Sequence, residues 1–247
     1  MSTSAVAPRL QSRIVAVDAL DGALIDAMFA LHAQYYDACE RARFEHDLAH
    51  KRYVIVLDSP HGLAGFSTVA VDRYDTAGGP ALVLFSGDTI IDRACWGEQT
   101  LSRSFARLAG ALHASTPELP LYWLLISKGH RTYRYLGLFS RRYFPHHTHD
   151  DPQLRALAEQ FAAARFGTDY DPARGVIRFP QSHGHLKTDI ADVPAHVAAR
   201  AEGAFFLARN PGYRNGDELV CLTRLGVDNL RAAVRSGFEQ GMRDGLD

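Results

Sequence analysis

The sequence concentrates positive charge between residues 119 and 149, where it has lysine and arginine side chains interleaved with aromatic ones and no acidic residue. The pattern predicts a helix over 132–143, with Arg131, Arg134 and Arg141 on one face and the aromatic residues on the other. Such a face binds phosphates or an acidic partner, or is simply solvated. Stacking on single-stranded RNA is a weaker interpretation, because the aromatic residues have the spacing of a core-facing stripe.

A second candidate site is the turn from Asp92 to Thr100, which leads into the clearest helix of the sequence. That helix has an apolar stripe and two arginines, Arg103 and Arg107, on the opposite side; the stripe comprises Leu101, Phe105, Leu108 and Leu112. Backbone amides at a helix amino terminus lack partners within the helix and attract phosphate oxygens. Gly97 is therefore either part of an anion-binding turn or an ordinary strand-to-helix turn.

Three residues near this turn are candidates for a general base, which must reach the nucleophile with a suitable pKa. Glu98 is the first choice, followed by Asp88 and His130. Each also has a simpler interpretation. Glu98 stabilises the first helical turn, Asp88 forms a turn at a strand end, and His130 is a surface residue at a helix start.

Histidines and cysteines give weaker signals. His183 and His185 point the same way on an extended segment and could chelate a metal with a third ligand, but a polar loop that merely contains histidines is favoured, as it is for the run from His146 to His149. No metal site is predicted. Cys95 has no histidine in register to activate it, and the three cysteines indicate neither a disulfide framework nor a zinc site.

Composition excludes several classes of protein. A formal net charge of −1 and a pI near 6.9 argue against a protein devoted to duplex nucleic acid. No apolar run approaches the ~20 residues of a membrane span, and the amino terminus lacks the apolar stretch of a secretory signal. We therefore expect a cytoplasmic protein with no membrane span and no nucleic-acid partner.

The predicted elements alternate between strands and helices. A strand at 13–17 and a helix at 24–35 precede an antiparallel meander of strands at 53–57, 63–72 and 81–86. The helix after Gly97, a buried strand at 121–127 and the basic helix follow. Beyond residue 146 we predict helices at 152–166 and 194–207, a strand at 218–223 and a last helix from residue 228.

Over residues 13–145, this order and the turn from Asp92 to Thr100 resemble the GNAT-like acyl-CoA N-acyltransferase superfamily. The resemblance implies an α/β fold of the α+β type, a mixed and mostly antiparallel sheet flanked by helices. Residues 146–247 would then form a mainly helical carboxy-terminal extension. It also implies that Arg93, Gly97 and Gln99 bind the pyrophosphate of coenzyme A, and that a tyrosine of the basic helix, Tyr133 or Tyr135, protonates the departing thiolate.

We therefore expect an acyltransferase that moves an acyl group from a thioester of coenzyme A or of acyl carrier protein to a small amine or hydroxyl acceptor. Arg131 and Arg134 would meet the phosphates of the donor or an acidic carrier protein. No tightly bound cofactor is expected. Two alternatives stay open: an inactive module of the same fold that binds a ligand or partner, and a metal-dependent hydrolase that uses the histidines.

Overall fold

The structure is a computed structural model that describes residues 10–179 and 185–246, without the side chains of residues 188 and 189. The strands of the described residues are β1 Gln11–Ala16, β2 Tyr36–Asp37, β3 Tyr53–Ser59, β4 Gly62–Thr76, β5 Gly79–Ile91, β6 Leu121–Ser127, β7 Tyr170–Asp171, β8 Val176–Ile177, β9 His185–Leu186 and β10 Glu218–Leu225. The helices are α1 Gly22–Tyr35, α2 Arg41–Ala49, α3 Thr100–Ser115, α4 His130–Phe139, α5 Pro152–Phe166, α6 Thr188–Ala191, α7 Ala195–Ala198, α8 Ala201–Arg209 and α9 Ala232–Asp244.

One large sheet organises the fold, with its strands in the order β1-β3-β4-β5-β6-β10-β8-β7. Neighbouring strands are antiparallel except β5 and β6, which are parallel and are connected through α3. Strands β2 and β9 pair separately. The predicted fold class, a mixed and mostly antiparallel sheet flanked by helices, is confirmed.

Apolar residues alternate along the strands and so give the sheet two buried faces. On one face, side chains such as Ile55 and Leu84 pack in one core with apolar residues of α3, α4, α8 and α9. On the other face, Val54 and its neighbours pack with α1 and α2, whereas Phe85 packs with α5 in a separate core. The second face therefore carries two cores rather than one.

Local sequence signals account for the helix starts on this second face. The carboxylate of Asp21 accepts a hydrogen bond from the backbone N–H of Leu24 at 2.7 Å and caps α1. Asp151 caps α5 in the same way through Leu154, and Pro152 occupies the first turn. Both helices begin close to where the sequence predicts them.

The basic helix is shorter than predicted. Helix α4 ends at Phe139, and Ser140 then forms an isolated bridge with Leu230. Arg141 lies outside the helix, where its guanidinium donates a 2.7 Å hydrogen bond to the carbonyl of Asp228. Its predicted position on one face with Arg131 and Arg134 is therefore wrong, because pairing with a distant segment ends the helix.

Two other element boundaries also differ from prediction. The alanine-rich segment forms two short helices, α7 and α8, instead of one, and the last helix begins at Ala232.

Strand β10, from the predicted extension, lies between β6 and β8 in the large sheet. Residues on both sides of position 145 thus share one core, and the division into 13–145 and 146–247 stays a prediction.

Helix α3 is buried on the predicted stripe: Leu101, Phe105, Leu108 and Leu112 are all less than a tenth exposed. Arg103 is exposed as predicted, but Arg107 is half-buried. The reason is α9, whose Gly241 lies so close to α3 that an added Cβ would collide with the carbonyl oxygen of Arg107. The sequence pattern of α3 alone does not show this second helix.

We expect Gly241→Ala to destabilise the protein, although Gly-to-Ala changes inside exposed helices stabilise by about 1 kcal/mol. The collision with the α3 backbone should lower the free energy of unfolding by about 1–3 kcal/mol, as overpacking does elsewhere. Urea denaturation measures this change. Gly22→Ala at the start of α1 is the control, because nothing lies within 4 Å of its added Cβ. Equal stabilisation by both substitutions would contradict the close helix contact.

Candidate active site

The parallel strands β5 and β6 separate beside a β-bulge. Their pairing ends at Ser86↔Leu125, although β5 continues beyond this point. On its other edge, β5 places Gly87 and Asp88 opposite the single residue Thr68 of β4, which makes the bulge. Beyond Ser86 the two parallel strands no longer pair with each other. A gap between parallel strands gives a ligand access to backbone and side chains in the middle of the sheet.

Asp88 lies at this gap and pairs with a histidine from α1. Its Oδ1 is 3.7 Å from Nε2 of His32, and the Asp88 side chain keeps a third of its surface exposed. Burial alone would raise the pKa of Asp88, but His32, with Lys51 and Lys128 nearby, lowers it below its usual value. Asp88 is therefore ionised at neutral pH.

A second carboxylate, Glu218 at the start of β10, lies in the same gap. It is 7% exposed, and its Oε1 is 3.4 Å from Nζ of Lys128. Burial raises the pKa of Glu218, and the charge of Asp88 adds to the rise, while Lys128 opposes it. Two carboxylates in one gap thus have pKa values displaced in opposite directions, a pattern that marks candidate acid–base sites.

Aromatic rings close one side of the polar cluster. The imidazole of His32 stacks on the ring of Tyr36, with centroids 4.6 Å apart, and Nζ of Lys128 is 5.4 Å from the same tyrosine ring. Burial, followed by the charges of Asp88 and Glu218, raises the pKa of Tyr36. We define the polar cluster as His32, Tyr36, Lys51, Asp88, Lys128 and Glu218.

The Gly97 turn gathers a tryptophan and two arginines. Trp96 is 41% exposed, and the guanidinium groups of Arg131 and Arg93 lie 4.7 and 5.6 Å from its ring centroid. Gly97 has φ +99 and open space around its Cβ position. The residue before α3, Gln99, makes no side-chain hydrogen bond to cap the helix. We call this group, Arg93, Trp96, Gly97 and Arg131, the basic turn.

Three further predicted site residues on α4 line a small cavity. The Tyr133 hydroxyl donates a 2.9 Å hydrogen bond to the carbonyl of Pro145, and this tyrosine is fully buried. His130 is buried too, and burial followed by Arg131 and Arg134 lowers its pKa to about 4. The surface position considered for His130 is therefore wrong. His130, Tyr133 and exposed Arg134 line a small cavity together with residues of α7 and α8.

Two remaining acid–base candidates have no contact with the polar cluster in the structure. Glu98 is half-buried in the turn before α3, where its backbone N–H donates to the carbonyl of Cys95. Tyr135 is half-buried on α4, and burial raises its pKa. The structure therefore brings Asp88 to the gap, and Arg93, Gly97 and Arg131 to the basic turn, but it separates Glu98, His130 and Tyr133 from both carboxylates of the polar cluster.

The histidine clusters do not converge on a common point. His146 stacks on His149 and His147, with ring centroids 3.8 and 4.6 Å apart. His185 belongs to β9, and its predicted partner His183 lies outside the described residues. Within the described ranges, no group of three or more histidine, cysteine or carboxylate side chains is arranged to hold a metal ion.

Sequence reasoning missed most of the polar cluster. Lys51, Lys128 and Glu218 are charged residues next to apolar strands, and His32 is buried on the core face of α1. A charged residue at the end of an apolar run is a signal that could have identified Glu218, because ionised groups are rarely buried without a purpose. This signal does not predict which strand ends lie close together in the folded protein.

No helix in the described part of the chain is long and apolar enough to cross a membrane. Among known proteins, no family model and no curated protein matches the chain. Similar solved structures exist at low identity. One is a conserved protein of unknown function from Enterococcus faecalis V583, described as a probable N-acyltransferase, at 15% identity over 53% of this chain and 33% of that one, with a TM-score of 0.40.

Two further similar structures are described as GNAT-type enzymes, the superfamily that the sequence resembles. The N-acetyltransferase YhbS of Escherichia coli, in complex with CoA, is 15% identical over 56% of this chain and 72% of that one, with a TM-score of 0.37. A GCN5-related N-acetyltransferase from Kribbella flavida is 10% identical over 57% and 36% of the respective chains, with a TM-score of 0.39. Similarities at these scores assign no activity, so the chemistry of the site has to be considered directly.

Proposed function

We propose that this protein is an acyltransferase that moves an acyl group from a thioester of coenzyme A or acyl carrier protein to an amine or hydroxyl acceptor. The observation that carries this proposal is the gap between β5 and β6. The two parallel strands stop pairing there, and the polar cluster lies beside the gap. Thioester, nucleophile and base can meet there without crossing a closed sheet.

The donor would enter from the basic turn. Arg131 and Arg93 present two cationic groups beside an exposed aromatic ring, and the amino terminus of α3 adds uncapped amides and the positive end of its dipole. Phosphate oxygens are the anions that guanidinium groups bind best. The open space at Gly97 leaves room for a phosphopantetheine arm.

The acceptor would react at the polar cluster. Glu218 accepts a proton from the nucleophile, whose nitrogen or oxygen forms a bond to the thioester carbonyl carbon. The carbon–sulfur bond then breaks, and the thiolate leaves and takes a proton from solvent. An acceptor that binds as an ammonium group first releases one proton to solvent, because only the neutral amine has a lone pair for the attack. Asp88, ionised beside His32, holds the positive charge of an incoming ammonium group. Because the hydroxyl of Tyr133 is already bonded to Pro145, the proposal does not use it as an acid.

Charge reversal at Arg131 tests the donor side. We expect Arg131→Glu to raise the donor KM about tenfold at low salt, the loss of one charge-assisted contact worth about 1.4 kcal/mol, and to leave kcat and acceptor KM unchanged. The difference should shrink as ionic strength passes ~0.1 M, and more steeply for acyl carrier protein than for acyl-CoA. Steady-state kinetics with both donors measure the effect and show which carrier is used.

Two controls make this test specific. Arg243→Glu changes the same charge at an exposed position of α9, away from the basic turn, and should leave the donor KM unchanged. Arg134→Glu probes the second predicted arginine, which lines the small cavity instead of contacting Trp96. A folded Arg131→Glu protein that binds both donors as the parent does would refute donor binding at the basic turn. Donor binding without turnover of any acceptor would favour the inactive ligand-binding module.

A further inference from the structure

Thr68 carries a buried hydroxyl group with no hydrogen-bond partner. The residue is 0% exposed, and its Oγ1 has no partner among the described residues. Leaving a buried hydroxyl unpaired is unfavourable, because its interaction with water is lost without replacement. This unpaired group lies opposite the bulge of β5, on the edge of β5 that pairs with β4. A polar atom from a bound molecule would satisfy it.

Gly87 shows that Lys51 lies beside this hydroxyl. A Cβ at Gly87 would lie 2.7 Å from both Oγ1 of Thr68 and Cε of Lys51, and 3.0 Å from Nζ of Lys51. The hydroxyl of Thr68 and the ammonium group of Lys51 therefore both lie close to one point beside the bulge, where no residue larger than glycine fits without moving them.

The ammonium group of Lys51 has no ion-pair or hydrogen-bond partner among the described residues. The ring of Phe85 lies beside it, with its centroid 5.0 Å from Nζ. Burial lowers the pKa of Lys51, and the more distant charges of Asp88, Asp47 and Asp72 oppose this change while Arg165 adds to it. Partial burial of a cation without a bonded anion is unfavourable. An anionic ligand would supply the missing partner.

We propose that Lys51 and Thr68 bind an anionic oxygen group, a carboxylate or a phosphate, that belongs to the acceptor. This inference rests on the proposed function and deepens it, since the acceptor would then be an amine that carries an acidic group on a short spacer. The anionic group lies at Gly87, and the amine reaches Asp88 and Glu218 in the same gap. Both halves of the acceptor thus meet groups of opposite charge.

A panel of matched acceptors tests this specificity. The probes are β-alanine, its uncharged carboxamide and phosphoethanolamine, which share an aminoethyl group and differ in the anionic group. We expect the wild-type protein to prefer an anionic acceptor over the carboxamide about 10- to 100-fold in kcat/KM, the range of one or two charge-assisted contacts. The better of the two anionic probes identifies the group.

Substitutions in the proposed anion site should remove this preference. Lys51→Met keeps the length of the side chain without its charge, and Thr68→Val keeps the shape without the hydroxyl. Both should lower the ratio of kcat/KM for the anionic probe to kcat/KM for the carboxamide towards one, whatever their effect on the overall rate. Arg73→Met, which removes an exposed cation from the same strand β4, should leave the preference intact.

Binding measured without donor separates this inference from the proposed function. Isothermal titration calorimetry with each anionic probe alone should show binding in the wild type that Lys51→Met weakens at least tenfold. Such binding without any acyl transfer would overturn the proposed function and keep the anion site. Equal use of acid and carboxamide by the wild type, or probe binding that survives Lys51→Met unchanged, would overturn the anion site even if acyl transfer is observed.

Discussion

Phe105→Ala should lower the free energy of unfolding by about 3–5 kcal/mol, the usual cost of truncating a buried aromatic side chain. Phe105 is 4% exposed, and its ring lies 4.6 Å from that of Trp123 and 5.8 Å from that of Phe139. Truncation would leave a cavity between α3, α4 and β6 that neighbouring helices cannot fill without moving. Chemical denaturation followed by circular dichroism measures the change.

The control for this prediction is Leu138→Ala on α4. Leu138 is 55% exposed, so its truncation should change stability by no more than about 0.5 kcal/mol, as for other surface positions. A loss well under 1 kcal/mol for Phe105→Ala would show that the apolar stripe of α3 does not face the core.

The spacing of apolar residues predicted α3 because that spacing is a local property of the sequence. Four apolar residues at helical spacing define a buried face whatever that face packs against. The same pattern could not predict the half-buried state of Arg107, which depends on Gly241 more than a hundred residues later in the chain. It could not end α4 at Phe139 either, since the segment that stops the helix includes Leu230. The local sequence determines which helices and strands form, and contacts between distant segments determine where they end.

The candidate site divides in the same way. Asp88 and the residues around Gly97 could be predicted because turn-forming residues lie close to them in the sequence, although β5 continues past Asp88 to Ile91 and the turn predicted at Asp88 is therefore wrong. Lys51 and Glu218 could not, because they come from the start of β3 and the start of β10 and meet only through the strand order of the sheet. The family resemblance indicated Tyr133 as a candidate acid, but in the structure its hydroxyl donates a hydrogen bond to the carbonyl of Pro145.

Glu218→Gln should reduce kcat about 10²- to 10⁴-fold, the usual contribution of a general base. The amide retains the shape of the side chain but cannot accept the proton of the acceptor. Unfolding measurements on the same variant are needed to show that it is folded, because the substitution also removes the ion pair with Lys128. Glu218→Asp, which keeps a carboxylate at a greater distance, should recover part of the activity.

The pH dependence of the reaction distinguishes Glu218 from Asp88. Because burial raises the pKa of Glu218 above its usual 4.5, the base is protonated and inactive at low pH, and kcat should rise with pH through that raised value. Asp88 has a pKa below its usual 3.8, so it stays ionised throughout this range and adds no such step.

Asp88→Asn should therefore lower activity and retain the pH step, whereas Glu218→Gln should abolish the step. Loss of the Asp88 charge should also move the Glu218 step to lower pH, because that charge adds to the raised pKa of Glu218. A pH step that survives in Glu218→Gln and disappears in Asp88→Asn would assign the base to Asp88 instead.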